Sequence, residues 1–173
     1  MQSHLVRIFL AFAVNVALIA PLSSAQEAPP VTQVSKFSGE PVPRFASLRF
    51  SAVHGRQGPS LDHAILWRYE AEGMPVLIIR ETHGWRRVRD QDGDEVWVQA
   101  RMLSGARTAV TTRQTTLHRR ADPDSNARAM IKAGVIATLD DCDAGWCKVE
   151  SGKRKGWLKD TDLWGTRFGT DGV

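Results

Sequence analysis

The sequence contains only two cysteines, Cys142 and Cys147, and one tyrosine, Tyr69. Two thiols with no histidine or second pair at ligand spacing exclude a zinc centre, and no metal or other cofactor is expected. A strong excess of one charge is also missing: 23 Lys and Arg face 19 Asp and Glu, interspersed along the chain. Phosphate-binding proteins concentrate positive charge on one face or stripe, so nucleic acid is not an expected partner. Helical spacing of apolar residues is sustained only near the N-terminus, where Ile8 to Ala20 is apolar except for Asn15. That run is shorter than the about 20 residues a membrane span requires, and it ends at Pro21.

The N-terminal run does fit a secretory signal peptide: Arg7 precedes it, and Ser23, Ser24 and Ala25 follow as small residues suited to cleavage. Cleavage is expected after Ala25, with Ala28 the next suitable position. No cysteine stands near either position to carry a lipid, so no membrane anchor should persist after cleavage. Loss of residues 1–25 removes Arg7 and leaves 22 basic against 19 acidic groups, a charge of +3. Residues 26–43, with Pro29, Pro30, Pro41 and Pro43, read as an extended linker. Residues 166–173 read as a frayed tail.

Between them the chain repeats itself. Val53 to Pro59 matches Leu117 to Pro123 at an offset of 64; Glu72 to Val76 matches Ala133 to Ala137, and Gly84 to Val88 matches Gly145 to Val149, both at 61. Trp97-Val98 matches Trp157-Leu158, and Leu103 to Gly105 matches Leu163 to Gly165, both at 60. An offset that falls in small steps indicates a duplicated unit whose loops shorten between retained strands. Within the first copy Ile65, Trp67 and Tyr69 alternate with Leu66, Arg68 and Glu70, the period of a pleated strand. Val76 to Ile79 is an apolar run suited to a buried strand, and Thr82-His83-Gly84 and Asp90 to Asp94 supply turns. Short strands at close spacing, in units of about 60 residues, predict two small all-β barrels, which also limit exposed strand edges.

The order Arg-x-x-Pro, Gly before a β-branched strand, Gly-Trp-x-x-Val, Trp-Val/Leu and a closing Leu resembles the bacterial SH3-like (SH3b) family. It is carried by Arg56 to Pro59, Gly73, Gly84 to Val88, Trp97-Val98 and Leu103, and again by Arg120 to Pro123, Gly134, Gly145 to Val149, Gly156 to Leu158 and Leu163. The resemblance implies SH3-like barrels over 44–105 and 106–165. Two positions depart from it: Gly55 stands where the family has an apolar strand residue, and Val96 replaces the glycine before the tryptophan, which Gly156 keeps.

Cys142 and Cys147 bracket a four-residue turn and face each other across its strands, as a disulfide requires. A catalytic thiolate would need a positioned histidine, and the nearest one upstream, His118, belongs to a different turn. No catalytic residue is therefore expected. His54, His63 and His83 lie in turns, as do the pairs Asp92/Asp94 and Asp140/Asp141, where aspartate caps backbone. Trp85 and Trp146 alternate away from the core residues Val88 and Val149, so each either covers a barrel end or walls a ligand groove. Trp67 and Tyr69 are the other candidate ligand-binding residues. Trp164 replaces Ser104 and is a candidate for packing between the barrels. Lys153-Arg154-Lys155 reads as a solvated hairpin tip, with contact to an anionic polymer as the alternative.

The expectation is a non-enzymatic, periplasmic or secreted binding module. The family resemblance implies recognition of cell-wall (peptidoglycan) peptides or an envelope protein. The alternatives are an adaptor in a protein complex, a non-specific nucleic-acid binder, or an accessory to a cell-wall hydrolase.

Overall fold

The computed structural model describes residues 32–166. The signal peptide expected over 1–25 and the tail beyond Thr166 lie outside the described residues. The described chain begins with a small hairpin, β1 (Gln33–Val34) and β2 (Pro41–Val42). The first barrel follows as β3 (Arg44–Leu48), β4 (Val53–Arg56), β5 (Ile65–Tyr69), β6 (Pro75–Thr82), β7 (Trp85–Arg89), β8 (Glu95–Gln99) and β9 (Leu103–Ser104). The second is β10 (Thr108–Thr111), β11 (Thr115–His118), β12 (Ala127–Ile131), β13 (Ile136–Asp143), β14 (Trp146–Ser151), β15 (Arg154–Lys159) and β16 (Leu163–Trp164).

Both are seven-stranded antiparallel sheets with one topology. The strand order is β5-β4-β8-β7-β6-β3-β9 in the first and β12-β11-β15-β14-β13-β10-β16 in the second. The second order is the first with every strand advanced by one unit. The fold is therefore all-β, two tandem SH3-like barrels.

Alternation places Val76, Ile78, Val88, Val96 and Val98 in the first core, and Leu117, Ala137, Leu139, Cys147, Val149 and Leu158 in the second. Each core is a filled cluster of side chains, held mainly by removal of apolar area from water.

Two expectations need correcting. The matching of Val53–Pro59 to Leu117–Pro123 is displaced by two residues. Arg56 pairs with Trp97 as His118 pairs with Trp157, and Gly55 opposes Trp67 as Leu117 opposes Ala129, so β4 and β11 correspond at an offset of 62. An even slip leaves inward and outward faces unchanged, which is why the core assignment was unaffected by it. The other correction concerns 26–43: residues 33–42 are paired as a hairpin rather than extended, with Gln33 opposite Val42 and Val34 opposite Pro41.

The corrected register makes the two departures from the family pattern one event. Gly55 and Val96 correspond to Leu117 and Gly156. A Cβ on Gly55 would come within 2.7 Å of Val96 Cγ2, and one on Gly156 within 2.7 Å of Leu117 Cγ. The same space is filled from β8 in one barrel and from β11 in the other, a volume-conserving exchange.

The barrels also share a third apolar cluster. Leu77, Phe45 and Ile79 on the outer faces of β6 and β3 pack with Val110, Ile136 and Trp164 of the second barrel. The Phe45 and Trp164 rings meet edge-on with centroids 5.0 Å apart. At the margin, Thr108 Oγ1 donates to the Gly73 carbonyl at 2.7 Å and lies 2.6 Å from Ser47 Oγ. Replacing buried aromatics by alanine costs about 3–5 kcal/mol. The Trp164→Ala chain is expected to lose stability in that range and to split one calorimetric transition into two, as the barrels uncouple.

Candidate functional site

The four aromatic candidates fall in different environments. Trp67 and Tyr69 come together on β5, rings edge-on at 6.1 Å. Tyr69 is only 7% exposed, and its hydroxyl donates to Asp90 Oδ2 at 3.1 Å. Burial pushes the Tyr69 phenol above its ordinary value, with the Asp90 carboxylate acting in the same direction. Asp90 is itself raised by burial, against hydrogen bonds from the Asp94 and Asp92 amides and from Tyr69. Tyr69 is thus a core residue that ties β5 to the β7–β8 turn, and Trp67 lies half-buried against the same core.

Trp85 and Trp146 occupy equivalent positions on β7 and β14, opposite Gln99 and Lys159 respectively. They are covered differently. Trp146 is 9% exposed, with the His118 ring edge-on at 5.3 Å and Lys159 Nζ 5.9 Å from its centroid. The residue equivalent to His118 in the first barrel is Arg56, whose guanidinium turns to the carbonyls of Leu61 and His63 instead. No aromatic ring covers Trp85 among the described residues, and it is partly exposed. Of the four, Trp85 and Trp67 offer surface to a ligand, and they stand on different strands of one barrel.

The hairpins carrying Trp85 and Trp146 are closed by different chemistry at one register position. Cys142 faces Cys147 across β13 and β14, and the two form the expected disulfide. At the corresponding position Glu81 faces Arg86 across β6 and β7, and Arg86 Nε lies 2.8 Å from Glu81 Oε1. In both copies a bulge lies one cross-strand pair before this position, ahead of Asp141–Lys148 and Arg80–Arg87.

Glu81 also accepts from Arg44 Nη2 at 2.7 Å and from Ser38 Oγ at 2.5 Å, which fastens the N-terminal hairpin to the first barrel. Burial raises the Glu81 carboxyl, but hydrogen bonds from Ser35 and Ser38 and the Arg44 guanidinium outweigh it and hold the group below its ordinary value.

Residues without a local motif come together beside this cluster. Arg44, Arg49 and Arg86 line a hollow of about 410 Å³ along β3, with Glu40 at its edge. Phe45, Ala46 and Leu103 form part of its apolar lining. Arg44 and Arg49 lie at the two ends of β3, and Arg86 on β7 is brought beside them by the pairing of β3 with β6 and of β6 with β7. The Lys153-Arg154-Lys155 tip, by contrast, is an exposed hairpin turn, and Lys155 pairs with Glu150 at 2.8 Å.

The chain matches the family described as "Bacterial SH3 domain" twice, over residues 52–105 and 113–165, together more than half its length. It belongs to the bacterial SH3 domain family, as a tandem. A putative N-acetylmuramoyl-L-alanine amidase, YrvJ of Bacillus subtilis (strain 168), is 24% identical over 142 residues, covering 75% of this chain and 26% of the relative. The chain therefore spans about a quarter of that protein's length. Among solved structures, NlpC1 and NlpC2 of Trichomonas vaginalis align over 79% and 70% of this chain and 51% and 48% of their own. Both have a TM-score of 0.33, at 14% and 12% identity. At these scores neither likeness bears on the arrangement of this chain.

The two hairpin closures respond to different conditions. Removing one member of a buried ion pair costs about 3 kcal/mol or more, so Glu81→Gln should destabilise by that order. Because the folded Glu81 carboxyl is held low, its contribution is complete above the unfolded value of about 4.3. It declines as pH falls through the lowered folded value. Chemical denaturation of wild type and Glu81→Gln across that window should converge on acidification. The double substitution Cys142→Ser/Cys147→Ser should cost about 2 kcal/mol on the chain-entropy account of so short a loop. That loss should not vary with pH in the same window.

Proposed function

We propose that this protein is an exported, non-catalytic binding module that recognises cell-wall peptides. The observation that carries the reading is the tandem of bacterial SH3 domains, in a chain similar over three-quarters of its length to part of a putative cell-wall amidase. A non-catalytic role is supported by the way the barrels are built. Their interiors are packed with side chains, and the hollow inside the second is about 10 Å³, room for one water at most and none for a substrate. A reaction centre would have to lie outside the cores, and the clustered carboxylates are engaged in structure: Asp90 caps its turn, and Glu81 holds the arginines. The apolar stretch before Pro21 and the disulfide both support export into an oxidising compartment.

The mature protein is expected to sediment with purified cell-wall sacculi, and the Trp85→Ala variant to sediment several-fold less while keeping its melting temperature. Wild-type protein left wholly in the supernatant would sink the cell-wall reading and favour an adaptor that binds an envelope protein.

A further inference from the structure

Basic and acidic residues are interspersed along the chain, but folding gathers one sign on the outer face of the first barrel. Strand pairing lines up Arg80 on β6, Arg87 on β7, Trp97 on β8 and Arg56 on β4 in one cross-strand row. Residues directly opposite each other share a face. This face is the outer one, because the neighbouring Val88, Val96 and Val98 point into the core. Arg89 and Glu95 form the next outward pair along β7 and β8.

The charges of this face do not cancel. Glu95 is shared by Arg87 and Arg89, each at 2.7 Å. Arg80 is exposed and Arg56 half-buried, and neither has a carboxylate partner among the described residues. Arg56 donates Nη1 to the Leu61 and His63 carbonyls, while Asp62 between them is turned to Ser60. Trp97, flanked by Arg87 and Arg56, is partly exposed and lies outside every apolar cluster. No aromatic ring or cation lies on its ring among the described residues.

The second barrel supplies an internal comparison. Its equivalent row is Asp141, Lys148, Trp157 and His118. Lys148 is paired with Asp140 at 2.6 Å, and the His118 ring is turned edge-on to Trp146. The tryptophan is kept in both copies, and the arginines around it are confined to the first. Holding the barrel together therefore accounts for the tryptophan and not for the arginines.

Neighbouring strands lie about 4.8 Å apart, which sets the strands of Arg87 and Arg56 about 10 Å apart with that of Trp97 between them. Guanidinium groups take carboxylates through paired, charge-assisted hydrogen bonds, and an indole offers a large apolar face. The ligand that suits such a row has a ring with an apolar face of its own, and anions on the units to either side. A chain of sugar acids has both. A polyol phosphate has no ring to lay on Trp97. A nucleic-acid strand is held by a basic track that follows its backbone, and in the second barrel the row carries Asp141 instead. We infer that the outer face of the first barrel is a binding site for an acidic polysaccharide, with a sugar ring on Trp97 and carboxylates on Arg56, Arg80 and Arg87. This site is independent of the cell-wall peptide reading, because it takes a different ligand, and failure to sediment with sacculi would not bear on it.

The test is a calorimetric titration of mature protein with oligogalacturonate. Its methyl ester is the uncharged control, and polyglycerol phosphate and a single-stranded oligonucleotide are the competing polyanions. Esterification should weaken binding about ten-fold or more, the scale of one lost charge-assisted bond. Arg80→Gln/Arg87→Gln should lose a similar factor. Arg80→Gln alone, which leaves no partner unpaired, should weaken binding several-fold with its melting temperature retained. Lys148→Gln, at the position of the second barrel equivalent to Arg87, should bind as wild type. Amide shifts in ¹⁵N-labelled protein should centre on Arg56, Arg80, Arg87 and Trp97. No binding of oligogalacturonate, equal binding of its ester, unaffected Arg80 variants, an equal loss in Lys148→Gln, or shifts confined to other surfaces would each overturn the assignment. Tighter binding of either phosphodiester polymer would overturn it in favour of a phosphate-bearing ligand.

Discussion

The arrangement of the molecule depends on β6 being buried on both faces. In an isolated small barrel a strand buries one row of side chains and exposes the other. Here Val76 and Ile78 point into the first core, while Leu77 and Ile79 lie under Val110, Ile136 and Trp164 of the second barrel. Exposing Leu77 and Ile79 beside Phe45 would leave a contiguous apolar patch, which water disfavours. Covering it fixes the second barrel against the first.

The two copies show how a duplicated barrel diverges without losing its frame. Hydrogen-bond register is retained strand for strand, bulges included. What varies is which side chain fills a shared space: Val96 over Gly55 in one copy, Leu117 over Gly156 in the other. The cross-strand pair that closes the long hairpin varies in kind, an ion pair at Glu81–Arg86 and a covalent bond at Cys142–Cys147. In the first copy the ionic solution has a second use, because Glu81 has acceptor capacity left for Ser38 and Arg44. A disulfide has none.

Much of this was legible from the residues. Alternation along β5 and β7, turn residues at the hairpins and the repeated Gly-Trp-x-x-Val determined strand class, copy number and the disulfide. The register of β4 against β11 was not legible, because Arg-x-x-Pro recurs two residues out of step with the strands that precede it. The hairpin over 33–42 escaped because prolines dominate the segment, and its attachment depends on a glutamate forty residues away. Among the aromatics, the sequence could place Trp85 and Trp146 on the same face but could not show that His118 covers one while Arg56 leaves the other open. The arginine-lined hollow beside β3 has no local signature, because Arg86 meets Arg44 and Arg49 only through the pairing of β3 with β6 and of β6 with β7.

The position of Trp164 has a bearing on how the chain reaches this state. The ring that covers Leu77 and Ile79 sits on the closing strand of the second barrel, where Trp164 lies opposite Val110. During synthesis the first barrel can complete its own core well before that strand emerges, so its outer apolar face stays uncovered in the interim. Val110 and Ile136 emerge earlier, but the cover over that face is complete only once the closing strand has brought Trp164 into place.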